Sequence, residues 1–139
     1  MKRPNSRLRV LLPDPTDDAL IAHLAQRFDK TQEYVRSKIY ETAEFYGDLA
    51  RIAGAGTTID IRHLVRAPVW GYYRLGATIV TTLYPASLAS TPTVPAMVFD
   101  AGGTTGRFFV DQFEACWGEA GGEDTPDEHY DSHTLRHER

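Results

Sequence analysis

The stretch VWGYYRLGATIVTTLYP, residues 69–85, decides the fold of this chain. It is aromatic and β-branched on both sides of Gly76, a pattern that predicts a β-hairpin of strands 69–75 and 77–84. It carries one arginine, Arg74, and no lysine, aspartate, glutamate or histidine. The hairpin is therefore either the core of an active site or a core that lacks catalytic residues.

Helices and strands alternate around the hairpin. The periodicity predicts, in chain order, a strand at 7–12, a helix at 15–28, a long helix at 31–53, a strand at 57–65, a loop at 85–95, a strand at 96–100 and a helix at 105–117. Asp14 is the expected cap of the first helix and Pro15 its first residue. Asp29 or Thr31 caps the second helix, and Gly54 or Gly56 supplies the left-handed residue that ends it. This order predicts an α/β domain over residues 1–118, with one mixed sheet of about five strands flanked by helices.

Charge is distributed unevenly along the 139 residues. The net charge is -4, and residues 119–139 hold seven acidic and two basic side chains, which leaves the rest of the chain close to +1. Without a clear basic excess, direct DNA binding is not expected.

The acidic tail is predicted to be disordered. Its histidines, His129, His133 and His137, have a spacing that could hold a metal on a helix, but a solvated tail is the favoured interpretation.

The remaining motifs exclude several classes of protein. A single cysteine, Cys116, rules out an intramolecular disulfide and favours a reducing, cytoplasmic setting with a structural thiol. The apolar run after the basic start is too short for a membrane span. The segment DAGGTTGR, residues 100–107, lacks the lysine and hydroxyl pair of a phosphate loop. A turn and helix cap is favoured there over a phosphate site at the helix start. No cofactor or metal is expected.

The candidate binding residues are polar or aromatic groups on the central strands. Arg62, His63 and Arg74 must each find a partner, because a lone buried charge is very costly. A carboxylate from Asp60, Asp100 or Glu114 could pair with the arginines, or an anionic ligand could. Asp14 follows the first strand, where ligands of open α/β sheets bind, although a helix cap also accounts for it.

Alternation along the hairpin sends Trp70 and Tyr72 to one face, with Arg74 beside them, and Tyr73 to the other. Such rings line pockets and interfaces as well as cores. Core filling is favoured more for Tyr73 than for Trp70.

The segments RLRVLLPDP, GTTIDIRHLVRAPVWGYYRLGATIVTTLYP, AMVFDAGG and GRFFVDQFEACW together resemble one half of the phospholipase D-like fold. More narrowly, the chain resembles the non-catalytic domains of that kind found in bacterial helix-turn-helix regulators. The resemblance covers residues 7–118. Because the second predicted helix is too long for a recognition helix, we expect no DNA-binding segment of the regulator kind within these residues.

The resemblance implies a hairpin with a reduced catalytic motif. In active members a histidine attacks phosphorus, a lysine two residues later holds the phosphate, and an aspartate follows. Here Tyr72 occupies the histidine place, Arg74 occupies the lysine place, and no aspartate follows. Tyrosine is a poor substitute for imidazole as a nucleophile, whereas arginine keeps the phosphate-binding charge. The implied pocket binds an anion without cutting it.

Three functions stay open from the sequence. The first is a non-catalytic regulatory or sensor module that binds a small phosphate- or nucleotide-like ligand and forms a homodimer. The second is a phosphodiesterase or other hydrolase that uses His63, Asp14 and Arg74. The third is an interaction partner of another regulatory protein, acting through the acidic tail and exposed aromatic residues.

Overall fold

A computed structural model describes residues 6–84 and 94–121. The elements in chain order are β1 (Ser6–Pro13), α1 (Asp18–Phe28), α2 (Gln32–Ala53), β2 (Thr57–Leu64), β3 (Trp70–Leu75), β4 (Thr78–Leu83), β5 (Ala96–Asp100) and α3 (Thr104–Gly121). The predicted order of helices and strands is therefore confirmed, and the chain is a small α/β protein.

The first four elements form a unit in which two helices connect parallel strands. β1 and β2 pair in register, with Val10 opposite Ile61 and Leu12 opposite His63. A parallel pair needs a long crossover, and here α1 and α2 provide it. Their apolar faces pack together under one side of the strand pair. The buried residues of this core are Leu20, Ile21, Leu24, Ala25, Val35 and Ile39, with Leu12 and Ala67 packed against them.

The first helix begins later than the sequence predicts. Asp17 is its cap, and the Asp17 carboxylate accepts a hydrogen bond from the Leu20 amide at 3.0 Å. The predicted cap, Asp14, instead accepts hydrogen bonds from the amide and the hydroxyl of Thr16, at 2.9 and 2.7 Å. Asp14 thus closes a turn before the helix, and Pro15 belongs to that turn. Asp17, which stands three residues closer to the apolar stripe, takes the role of the cap.

The second helix has the ends that its sequence predicts. The Thr31 hydroxyl accepts from the Tyr34 amide at 3.1 Å, and Gly54 follows the last turn with a φ of 72°. Left-handed φ values favour glycine, which explains the stop. Inside the helix, Gly47 faces open space, since a Cβ built there meets nothing within 4 Å among the described residues.

The hairpin and β5 form an antiparallel sheet in the order β3-β4-β5. Gly76 makes the turn with a φ of 59°. Tyr73, Val80 and Val98 lie side by side on the outer face, and Arg74, Ile79 and Phe99 form the adjacent row on the inner face. The inner face carries Ile79 and Thr81, which have 0% exposure.

The five strands form two sheets, so the predicted single mixed sheet is wrong. No backbone ladder joins the β1-β2 pair to β3-β4-β5 within the described residues. Helix α3 joins them instead, because it contacts β5 near its start and β2 near its end. Side-chain packing on α3 therefore joins the two sheets, whereas strand pairing was expected to join all five strands.

Helix α3 also extends past the predicted domain boundary at residue 118 and ends at Gly121. The rest of the predicted tail, including its three histidines, lies outside the described residues. In the described part of the chain, no helix is both long enough and apolar enough to cross a membrane.

Candidate functional site

Helix α3 presents aromatic side chains to the inner face of the hairpin. Trp70 packs edge-on against Phe109 with ring centroids 5.6 Å apart, and Tyr72 stacks on Phe113 at 5.2 Å. Both hairpin residues therefore fill the space under α3. Tyr73 lies on the other face and is 64% exposed, so the expectation that Tyr73 rather than Trp70 fills a core is wrong. The cause is that α3 covers only the inner face.

A line of charged groups runs beside these rings. Both Nη atoms of Arg9 donate to the Glu114 carboxylate, at 2.9 and 2.5 Å, and the Arg9 guanidinium lies 5.0 Å from the centre of the Phe113 ring. This ion pair lowers the pKa of Glu114, and Arg74 on β3 lowers it further. Glu114 on α3 thus interacts electrostatically with Arg9 on β1 and with Arg74 on β3.

Arg74 lines an open cleft between the hairpin turn and the start of α3. The cleft has a volume of about 560 Å³ and lies between the turn at Gly76 and the turn at Gly102. Its charged lining residues are Arg74, Arg107, Asp100 and Asp111. A cleft of this size suits a small molecule.

Both arginines of the cleft are available to a ligand. Arg74 and Arg107 are exposed, and within residues 6–84 and 94–121 neither forms an ion pair with a carboxylate. The Nε atom of Arg74 donates to the Gly76 carbonyl at 2.9 Å, which orients the guanidinium at the rim of the cleft. Planar guanidinium groups bind phosphate and carboxylate through paired hydrogen bonds.

Tyr72 is poorly suited to act as a nucleophile. Burial under α3 raises the pKa of its hydroxyl above the ordinary value, and the positive charge of the neighbouring Arg74 only partly opposes that effect. The phenol is therefore neutral near pH 7. It lies next to Arg74 but does not line the cleft.

Arg62 serves the other end of α3. Its Nη1 donates to the Trp117 carbonyl at 2.8 Å, and its guanidinium lies 4.3 Å from the centre of the Trp117 ring. A cation near a helix C-terminus is favoured by the helix dipole. Gly121 permits this approach, since a Cβ at that position would lie 2.6 Å from Nη1 of Arg62. Arg62 therefore holds α3 to β2 and does not share the cleft with Arg74.

His63 and Asp14 lie together at the carboxyl ends of β2 and β1. His63 is exposed and contributes to a lowered pKa of Asp14, although the hydrogen bonds from Thr16 are the main cause. Alternation along β2 directs His63 away from the face that holds Arg62 and α3. The predicted hydrolytic site requires His63, Asp14 and Arg74 to lie close together. The structure does not bring Arg74 to this pair.

Two residues of the cleft escaped the sequence analysis. Arg107 and Asp111 are four residues apart on α3, so they share a helix face. That spacing was visible in the sequence, directly after a strand and a glycine turn. The predicted turn is present between them and β5, and in it the Asp100 carboxylate accepts a hydrogen bond from the Gly102 amide at 2.7 Å.

Comparisons with protein-family models, curated proteins and solved structures found no match to this chain. The phospholipase D-like resemblance therefore remains an expectation.

Proposed function

We propose that this protein is a non-catalytic regulatory or sensor module that binds a small anionic ligand in the cleft between the hairpin turn and α3. The observation that carries the proposal is the position of Arg74. It lines the cleft together with Arg107, and the resemblance implies that it stands where the hairpin motif has its phosphate-holding lysine.

The absence of catalysis is proposed from the residue at the nucleophile position. Tyr72 is half-buried, stacked on Phe113 and held as a neutral phenol by its raised pKa. A reacting group needs access to the substrate and a base to accept its proton. Of its charged neighbours, Arg74 cannot accept a proton, and Glu114 is held in an ion pair with Arg9 that lowers the pKa of the carboxylate and makes it a weak base.

We also propose that the module forms a homodimer, as expected from its resemblance to half-sized members of the fold. Tyr73, Leu75 and Val98 on the outer face of the three-stranded sheet are 64, 80 and 67% exposed. An apolar face of this kind favours association. Sedimentation of the wild type and of Val98→Lys tests this, because one added charge per chain at the centre of the face should shift the dimer towards monomer. A monomeric wild type would refute the dimer.

The ligand site can be tested by thermal shift with inorganic phosphate and with nucleotides. We expect a rise in melting temperature that is lost in Arg74→Ala and reduced in Arg107→Ala. Arg51→Ala is the matched control, since Arg51 is an exposed arginine on α2 remote from the cleft. No shift with any anion, or the same shift in all three variants, would refute an anion site at Arg74.

A further inference from the structure

We propose that the cleft selects a phosphate monoester whose organic part carries hydroxyl groups, such as a sugar phosphate, over inorganic phosphate or a polyphosphate. This inference depends on the proposed anion site. It assigns the phosphate to Arg74 and Arg107 and the hydroxyl groups to Asp111.

The charge of the cleft argues against a highly charged ligand. Two arginines and two aspartates line it, so the formal charges of the lining cancel. The guanidinium groups attract each added phosphate, and the carboxylates repel it by a similar electrostatic energy. A ligand with one phosphate and several hydroxyl donors uses both kinds of group.

Asp111 is the carboxylate that is free to bind a ligand. Asp100 already accepts the Gly102 amide and shapes the turn before α3. The Asp111 side chain is exposed, and it has no hydrogen bond or ion pair to any residue that the structure describes. A carboxylate so placed accepts hydrogen bonds from sugar hydroxyls, as acidic residues do for ribose in dinucleotide-binding folds.

The spacing of the helix residues fits such a ligand. Arg107 and Asp111 lie one helical turn apart on one face, which separates their Cβ atoms by about 5–6 Å. No ion pair joins them within the described residues, so the hydrogen-bonding groups of both side chains are open to a ligand. A phosphate held by Arg107 and Arg74 would place a neighbouring sugar ring beside Asp111.

The test measures dissociation constants for ribose 5-phosphate and inorganic phosphate by NMR titration of the full chain. Wild-type protein should bind ribose 5-phosphate about tenfold more tightly. In Asp111→Asn, ribose 5-phosphate should bind about fivefold more weakly, because a charge-assisted hydrogen bond becomes a neutral one. Inorganic phosphate should bind about two- to threefold more tightly, because a repelling charge is gone.

The control is Glu119→Gln, which removes one negative charge from the same helix at a residue that faces Arg66. It should leave the preference between the two probes unchanged. If both probes bind equally, or if Asp111→Asn tightens both, the anion site stands and the sugar-phosphate inference is wrong. If neither probe binds the wild type, the proposed function fails together with the inference.

Discussion

Replacing Gly106 with alanine tests how α3 is seated on β5. A Cβ at Gly106 would lie 1.8 Å from the Asp100 carbonyl oxygen and 2.7 Å from its carbon. Carbon and oxygen normally approach to about 3.3 Å, so the helix start or the turn must move by about 1.5 Å. The obstacle is backbone and cannot rotate away. The change adds helix propensity, but overpacking of this kind costs more.

Gly118 is the matched control, because it lies on the same helix and its Cβ would meet nothing within 4 Å among the described residues. We expect Gly106→Ala to lower the free energy of unfolding by about 2 kcal/mol, and Gly118→Ala to raise it by up to about 1 kcal/mol. Urea titration followed by circular dichroism measures both, and an unchanged slope shows that the same surface unfolds. Equal midpoints for the two variants would refute the packing of α3 on the end of β5.

Three further predictions concern stability. The Thr81 hydroxyl is buried and has no hydrogen-bond partner among the described residues, so Thr81→Val should raise the free energy of unfolding by about 1–2 kcal/mol, whereas Thr81→Ser should lower it. A destabilised Thr81→Val in urea titration would show that the hydroxyl has a partner. The folded pKa of Glu114 lies below its unfolded value because of the hydrogen bond from Arg9. The stability that Glu114 contributes is therefore present above the unfolded pKa and is lost as the pH falls through the folded pKa. At neutral pH the free energy of unfolding of the wild type should exceed that of Glu114→Gln by less than about 1 kcal/mol, since the pair is partly exposed. This difference should close as the pH falls through the folded pKa of Glu114; a difference that persists in acid, measured by urea titration at neutral and acidic pH, would contradict this. Gly47→Ala should stabilise the exposed part of α2 by about 0.5–1 kcal/mol, measured as a higher melting temperature, and a loss would mean that something packs there.

The three polar candidates on the predicted strands lie at three different places in the structure. Arg62, His63 and Arg74 were equivalent as polar residues on predicted strands. In the structure they lie at the end of α3, on the opposite face of β2, and at the rim of the cleft. Of the three, Arg74 is the residue that lines the cleft between the hairpin turn and α3. The sequence could not separate them, because period-two alternation shows which residues share a face but not what covers that face.

Local sequence signals were enough to predict the order and approximate ends of the helices and strands. Thr31 and Gly54 bound the long helix, and Gly76 turns the hairpin, because these signals act within a few residues. Even the error at Asp14 was local, since Asp17 competes for the same role. Tertiary structure alone decided that five strands form two sheets, that α3 joins them, and that Arg107 and Asp111 meet Arg74 at a cleft. Those outcomes depend on how side chains distant in sequence pack and pair, and local propensity does not encode that geometry.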